Sequence, residues 1–555
     1  MSRILFDYAR PVVESDPARN DVACFVGLAR AMGTALPAAM QDWLETHGWT
    51  DGPAARSIAP PFTDLPLPIE SYAAFTALFD PGGSPDSYGT DYLATAVRSF
   101  FAQGGRRCYV IRMGNPLTPQ DDVSQAGSTT DDGISQSEST GKPGKLAKLL
   151  RGLLPGDYYG LDNRRTWHGV GHLGGLPDVS FLALPDLPVL CASAPSAAAG
   201  IEVVPPSGSA RFVECSQVSP AAPATPLYLL PAPRLTADDY YARTALPYTW
   251  GFCVQAVLSF LQENNIRDIQ FVAALPMPLE VDAASAAESS SNAALDQDIH
   301  DVIDNLMPEN ISPGATDAPD NPGMSTAFLQ LAYPWLKTSG SGVLNESLEP
   351  PDGALVGILA RNALTRGAFM DAVKIVPAEI FDLSPALPAQ EAAIPVTLTW
   401  GDNSWKPLIV RISLFGFTPG GLRLLSDVTT YPGEAYRQAC VHRLVSVISR
   451  AAQQLGERMV FQQNGPLLWE RIETSLTTLM TQLWQANALD GATAPDAFTV
   501  RCDASTMTQN DLDNGRLIAE VTFTAAATIE LIRVTLAIET SGASAQGIAA
   551  MAGAS

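Results

Sequence analysis

The alternation of apolar and polar positions is clearest near the C-terminal end of the chain. Strands are predicted to begin at Phe498, Arg516 and Ile529, because β-branched runs there are separated by Asx/Gly turns. A strand has a period of two, so the last run collects one apolar face: Ile532, Val534, Leu536 and Ile538. Only a Gly/Ala/Ser-rich tail follows it, which leaves an edge able to recruit another strand. If that strand came from another copy, the protein would be a polymer.

Helical spacing dominates the region just before these strands. Residues 433–455 and 466–488 each carry apolar side chains three or four positions apart, which predicts two amphipathic helices. Earlier in the chain, Thr90 can cap a helix that ends at Gly104-Gly105, and a strand is expected over Cys108–Arg112.

Further strands are predicted over 22–28, 179–184 and 269–275, with a helix over about 250–263. Strand, long connection, helix and strand in this order indicate a right-handed α/β unit. The expected fold class is therefore α/β (α+β).

The N-terminal residues also predict a short strand. Ile4, Phe6 and Tyr8 alternate with other residues up to Pro11. The strand could pair within its own chain or serve as a detachable arm. An arm of about ten extended residues reaches roughly 33 Å, which is enough to cross to a neighbouring subunit.

Composition narrows the classes of function. The 555 residues are 46% hydrophobic and 17% charged, which is typical of a folded protein, and the net charge is −24. Nucleic acids and anionic membranes bind clustered positive charge, so we expect neither partner. Seven scattered cysteines without a Cys-x-x-Cys pair fit a reducing cytoplasm. The N-terminus lacks a signal-peptide pattern and no apolar run is long enough to span a membrane, so we expect cytoplasmic assembly without membrane insertion.

Two polar segments are predicted to be surface insertions. Residues 115–145 are rich in Ser, Thr, Gly and Asp, and residues 282–325 are rich in Ala, Ser, Asn and Pro. The wider stretch 268–336 contains acids but no Lys or Arg, so it is either a solvated surface or a docking surface for a basic partner. A short helix is expected near 295–306.

Catalytic signals are weak. His168 and His172 have the spacing of two metal ligands on a helix, but Gly169 and Gly171 favour a loop, and no third ligand stands at a familiar spacing. The sequence has no G-x-S-x-G elbow and no G-x-G-x-x-G loop after a strand. We therefore expect no enzyme, no cofactor and no metal. A metal-dependent α/β enzyme using these two histidines is the alternative.

Arg443 and Arg450 form the one basic helix face that stands out. On the 433–455 helix they lie opposite the apolar side chains, with no acid beside them. They belong either to a solvated surface or to a contact with a partner.

Three segments carry a resemblance to a known family. They are Tyr92–Arg112, Leu331–Ala368 with its Tyr-Pro-Trp and Pro-Pro-x-Gly motifs, and the region 430–539 with Phe498-x-Val-x-Cys-Asp followed by Gly-Arg-Leu-x-x-Glu-Val. In this order they resemble the contractile tail sheath proteins of phage tails, pyocin-like particles and extracellular injection systems. One departure is Leu424–Val428, where sheaths usually carry a Trp-Gly-x-Arg-Thr turn.

The resemblance implies a multi-domain sheath fold. Residues 1–20 would be an N-terminal arm, 21–385 an outer α/β domain with the two insertions, 386–525 an inner tube-facing domain, and 526–555 a C-terminal arm and tail. The arms would add strands to neighbouring subunits through these residues: Ile4, Phe6, Tyr8, Ile529, Leu531, Ile532, Val534 and Leu536.

The implied function is mechanical. Subunits would form a helical homopolymer of stacked rings around an inner tube protein, with baseplate and terminator or cap proteins as further partners. Arg443 and Arg450 would face the tube. The protein would then be a component of a virion tail or injection particle. A non-contractile paralogue close to the baseplate or cap is the alternative, and the kind of particle stays open.

Overall fold

The structure is a computed structural model. It describes these residues: 20–50, 56–81, 91–116, 144–155, 161, 164–192, 232–240, 249–278, 299–307, 324–373, 375–387, 407–459, 462, 464–513, 516–526, 531–538 and 546–548. The predicted arm residues Ile4, Phe6, Tyr8 and Ile529 lie outside the described residues, as does most of both predicted insertions.

An eight-stranded sheet forms the centre of the larger part of the chain, in the order β12-β11-β8-β6-β4-β1-β3-β2. Its strands are β1 (Ala23–Leu28), β2 (Pro66–Ile69), β3 (Cys108–Gly114), β4 (Phe181–Ala183), β6 (Gln270–Ala274), β8 (Leu329–Tyr333), β11 (Ser413–Thr418) and β12 (Gly421–Leu424). The six inner strands are parallel, and the edge strands β2 and β12 are antiparallel to their neighbours. β1 and β6 are buried along their whole length, as expected for parallel strands covered on both faces.

Helices cover this sheet, and two short strand pairs flank it. The helices are α1 (Ala38–Thr46), α2 (Tyr72–Leu78), α3 (Tyr92–Ala102), α4 (Gly144–Leu153), α5 (Leu187–Cys191), α6 (Ala237–Tyr240), α7 (Trp250–Glu263), α8 (Ile299–Leu306) and α9 (Asp352–Thr365). The strand pairs are β5 (Arg234–Leu235) with β7 (Met277–Pro278), and β9 (Trp335–Thr338) with β10 (Ile380–Ser384). The helix expected near 295–306 corresponds to α8.

Close contact between α3 and α9 explains the small residues of α9. A Cβ atom at Gly353 would lie 2.5 Å from the Ala96 Cα, and one at Gly357 would lie 2.6 Å from the Phe100 carbonyl oxygen. Glycine at both positions lets the two helices touch backbone to backbone.

A second core lies in the C-terminal region. It contains α10 (Glu434–Arg437), α11 (Ala439–Met459), α12 (Pro466–Gln485), α13 (Ala494–Ala497) and α14 (Gln509–Asp513), with the strands β13 (Phe498–Arg501), β14 (Leu517–Thr524), β15 (Leu531–Ile538) and β16 (Gln546–Ile548). The predicted spacing of α12 is confirmed, because Leu468, Ile472, Leu476 and Leu483 are all buried in this core.

The first two described strands after residue 386, β11 and β12, join the large sheet, and the predicted division of the chain at that residue stays a prediction. β11 pairs with β8 in the large sheet, and Leu414, Phe415 and Leu424 pack in the first hydrophobic core. The second core includes Ala368 and then resumes at Cys440. Residues 413–424 therefore pack with the part of the chain that was predicted to be the outer domain.

Candidate assembly sheet and interdomain joint

The C-terminal sheet has the order β13-β14-β15-β16, and all its pairs are antiparallel. Side chains of β14 alternate between buried and half-buried, so one face of the sheet lies on the second core. Among the described residues, β13 has β14 as its single strand neighbour. The outer edge of β13 therefore pairs with no strand of the described part of the chain.

β15 contains four of the predicted arm residues. In this chain Leu531, Ile532, Val534 and Leu536 stand opposite positions of β14, for example Val534 opposite Val521. The eight paired positions form an antiparallel strand ladder within a single chain. The same ladder would form with the β15 of another copy, so exchange between subunits stays a prediction.

Arg443 does not lie on the surface, and this corrects the prediction that it faces a tube. Its side chain is 4% exposed and forms a two-pronged ion pair with the fully buried Asp427, with Nη2–Oδ2 at 2.6 Å and Nη1–Oδ1 at 3.1 Å. Its Nε also donates to the Ala368 carbonyl at 2.9 Å. Burial alone would raise the pKa of Asp427, but the adjacent guanidinium holds that pKa below its ordinary value.

Arg450 is also buried, and the same correction applies to it. Its Nε donates to Asp268 Oδ2 at 2.6 Å, and its Nη1 donates to Ser180 Oγ at 2.8 Å and to Asn20 Oδ1 at 3.1 Å. Its Nη2 donates to the Val179 carbonyl. These acceptors precede β1, β4 and β6, so one side chain connects α11 to the amino ends of three adjacent strands.

α11 is therefore buried on two faces. Its apolar face, with Val441, Leu444 and Ile448, packs in the second core, while Arg443 and Arg450 contact groups of the first. The sequence pattern could not reveal this, because Asp268 is 182 positions from Arg450 and Asp427 is 16 positions from Arg443. The arginine face is an interdomain joint.

His172 belongs to a buried polar cluster. Its Nε2 lies 2.8 Å from Asp64 Oδ1, and that oxygen also accepts a hydrogen bond from the Gly169 backbone at 2.9 Å. The Trp49 ring packs edge-on against the imidazole with centroids 5.2 Å apart. His168 precedes the 3-10 segment Gly169–Gly175, half-buried. Within the described ranges, no group of three or more His, Cys, Asp or Glu side chains could hold a metal ion.

The carboxyl ends of the parallel strands are the usual ligand site of an α/β sheet. Here Asp186, which follows β4, is fully buried, and its Oδ2 accepts a hydrogen bond from the Leu28 backbone at 2.7 Å. A Cβ atom at Gly27 would overlap with this carboxyl group. The Asp186 side chain therefore fills this crevice between β1 and β4.

Buried carboxyl groups also lie where α3 and α9 pack together. Burial raises the pKa of Glu349 to about 8, although hydrogen bonds from Ser99 and Thr338 lower it. Burial likewise raises the pKa of Asp352 to about 7. Both carboxyl groups are fully buried, so their protonation state affects the stability of the packing between α3 and α9. Neither group forms an accessible acid–base site.

Comparisons with protein-family models and with curated proteins give no match. Solved structures do match. The anti-feeding prophage (AFP) baseplate contains a similar chain, with a TM-score of 0.50, 18% identity, and coverage of 91% of this chain and 90% of that one. The AFP baseplate in its contracted state gives 0.50, 17% identity, and coverage of 94% and 93%. The AFP helical sheath in its contracted state gives 0.47, 17% identity, and coverage of 95% and 96%.

The predicted α/β (α+β) fold class is confirmed, and the chain shares its fold with chains of the AFP baseplate structures. At these identities the likeness concerns the fold and its extent, since each match runs over nine tenths or more of both chains. None of the described helices is long and apolar enough to cross a bilayer.

Proposed function

We propose that this chain is a structural subunit of a contractile sheath, which polymerises around an inner tube and shortens to drive the tube through a target envelope. The observation that carries the proposal is the fold that nearly the whole chain shares with chains of the AFP baseplate structures, joined to the three sequence segments that resemble sheath proteins. The inner tube protein, the baseplate and the terminator or cap proteins are the proposed partners, and assembly would take place in the cytoplasm.

Strand exchange would link the subunits. In the proposal, β15 leaves its own chain and joins β14 of a neighbour with the same register, and the N-terminal strand with Ile4, Phe6 and Tyr8 adds to the free edge of β13. A heterologous contact of this kind generates a helix of subunits where its rotation does not close into a ring. The backbone ladder keeps neighbours joined while the subunits rotate about the connections on either side.

The interdomain joint supports separate roles for the two cores of the subunit and for its arms. Buried ion pairs of Arg443 and Arg450 fix the second core on the first, so the subunit would move as one body. Movement on contraction would then be concentrated in the connections to the arms. Contacts with the tube would come from exposed residues other than these two arginines.

A baseplate-proximal, non-contractile paralogue is the second candidate. The two matches with a TM-score of 0.50 are to chains in AFP baseplate structures, and this observation favours it. The departure at Leu424–Val428 from the usual sheath turn points the same way.

Negative-stain electron microscopy of the concentrated protein tests the proposal. We expect tubes or stacked rings from the full chain, and none from a chain truncated after Ala526, which loses β15 and β16 but keeps the Ala526–Ala488 backbone hydrogen bond. A chain truncated after Ile548 is the matched control and should still assemble. Discrete single rings from the full chain would favour the baseplate-proximal candidate. Tubes from the chain ending at Ala526 would contradict strand exchange.

A further inference from the structure

Two cysteines meet between α5 and α7. Cys191 is the last residue of α5, and Cys253 lies in the first turn of α7. Their Sγ atoms are 4.0 Å apart, and both side chains are fully buried. This separation is van der Waals contact, so the two thiols are already neighbours in the folded protein.

Both cysteines lie at helix ends, Cys191 in the last position of α5 and Cys253 in the first turn of α7. Ala192, just after Cys191, leaves the helix in an extended conformation (φ −61°, ψ 137°), so Cys191 stands at the point where α5 stops. Cys253 follows Thr249, whose hydroxyl caps α7 by accepting from the Phe252 backbone at 3.2 Å. A disulfide has its sulfur atoms about 2.05 Å apart. The sulfurs must therefore approach each other by about 2 Å for a bond to form.

The remaining described cysteines have no such arrangement. Cys24 and Cys108 lie on adjacent parallel strands, but Cys108 stands opposite Ala23 and Tyr109 stands opposite Cys24. Since side chains alternate along a strand, the two thiols point to opposite faces of the sheet. Cys440 and Cys502 belong to the second core, on α11 and after β13.

We propose that Cys191 and Cys253 are a redox-responsive thiol pair, present as two thiols in reducing surroundings and joined as a disulfide after oxidation. Each thiol loses its proton, one S–S bond forms, and the two electrons pass to a thiol oxidant such as the azo compound diamide, which takes up the two protons as it becomes a hydrazine. The bond would tie the end of α5 to the start of α7 and close a loop between residues 62 positions apart.

Closing this loop would stabilise the first core. A cross-link reduces the conformational freedom of the unfolded chain, and the reduction grows with the length of the loop. The segment includes stretches outside the described residues, and the two helices that it joins belong to the first core. The inference does not depend on the mechanical role, because the geometry lies inside one chain.

Disulfide mapping tests the pair directly. The full-length protein is purified under reducing conditions and treated with diamide, the remaining thiols are alkylated, and the digested peptides are analysed by mass spectrometry. We expect a cross-linked peptide joining Cys191 and Cys253, at a slow rate because both thiols are buried. We also expect an unfolding temperature that rises by several degrees and returns on reduction with dithiothreitol.

Variants separate this pair from the other thiols. Cys191→Ser and Cys253→Ser should each abolish the cross-link and the temperature rise, whereas Cys440→Ser, a buried thiol in the other core, should leave both unchanged. Peptide mapping of the unmodified sequence answers the question even if a variant folds poorly. The proposal is overturned if diamide produces no Cys191–Cys253 peptide from the native protein, or if that peptide appears only after the protein has been unfolded.

Discussion

Replacing Arg443 with methionine tests the interdomain joint. The substitution keeps much of the aliphatic volume but removes both prongs of the ion pair with Asp427 and the hydrogen bond to the Ala368 carbonyl. Asp427 would keep only its neutral donors, Gln330 Nε2 at 2.9 Å and the Ala372 backbone at 3.1 Å. Because the carboxylate is fully buried, losing its cation should lower the free energy of unfolding by about 3–5 kcal/mol.

The assay is urea unfolding at pH 7, followed by tryptophan fluorescence. Arg437→Met is the matched control: Arg437 pairs with Glu434 on the helix surface, where both side chains are partly exposed, and its loss should cost less than about 1 kcal/mol. The double variant Arg443→Met/Asp427→Asn removes the uncompensated charge and should recover at least about 1 kcal/mol. Equal, small effects of Arg443→Met and Arg437→Met would refute the assignment of a buried joint.

Two further predictions concern the packing of α3 against α9. The pKa values of Glu349 and Asp352 are higher in the folded protein than in the unfolded chain. Their protonation therefore contributes its whole stabilisation below about pH 4, and this contribution is lost as pH rises toward 8. The unfolding temperature should fall between pH 5 and 8, and Glu349→Gln should flatten this slope; a slope unchanged by that variant would argue against Glu349 as its source. Gly353→Ala should destabilise the protein by about 1–3 kcal/mol in urea unfolding, since its Cβ would meet the Ala96 backbone. Gly342→Ala, with no atom within 4 Å, should be neutral, and equal effects of the two would contradict the helix contact.

Local pattern predicted the elements of this protein well where burial follows the period of the chain. The apolar positions Leu93, Val97 and Phe100 form the buried face of α3, and Gly104, with a φ of +103°, stands just after its end as expected. α7 was also predicted with its bounds, because its apolar residues repeat at helical spacing between a capping Thr249 and Asn264.

Long-range relations were not predictable from the same pattern. The polar face of α11 has the composition of a solvated surface. Its burial depends on Asp268, 182 positions from Arg450, and on Asp427, which lies outside the helix and 16 positions from Arg443. β11 and β12 likewise carry no signal for the sheet they join. His172 showed ligand spacing with His168, but its partner is Asp64, 108 positions away. Contacts of this kind are decided by tertiary packing and not by local periodicity.

The exchange of β15 between copies is the central claim, and pairs of introduced cysteines measure it most directly. Thr522 stands opposite Arg533 on β15 and opposite Thr499 on β13. Thr522→Cys/Arg533→Cys therefore reports on the exchanged strand, and Thr499→Cys/Thr522→Cys is the matched control within one chain. After oxidation of assembled tubes, the account predicts a ladder of covalent multimers on a non-reducing gel for the first variant and a monomer band for the second. A monomer band for both variants in intact tubes would contradict it.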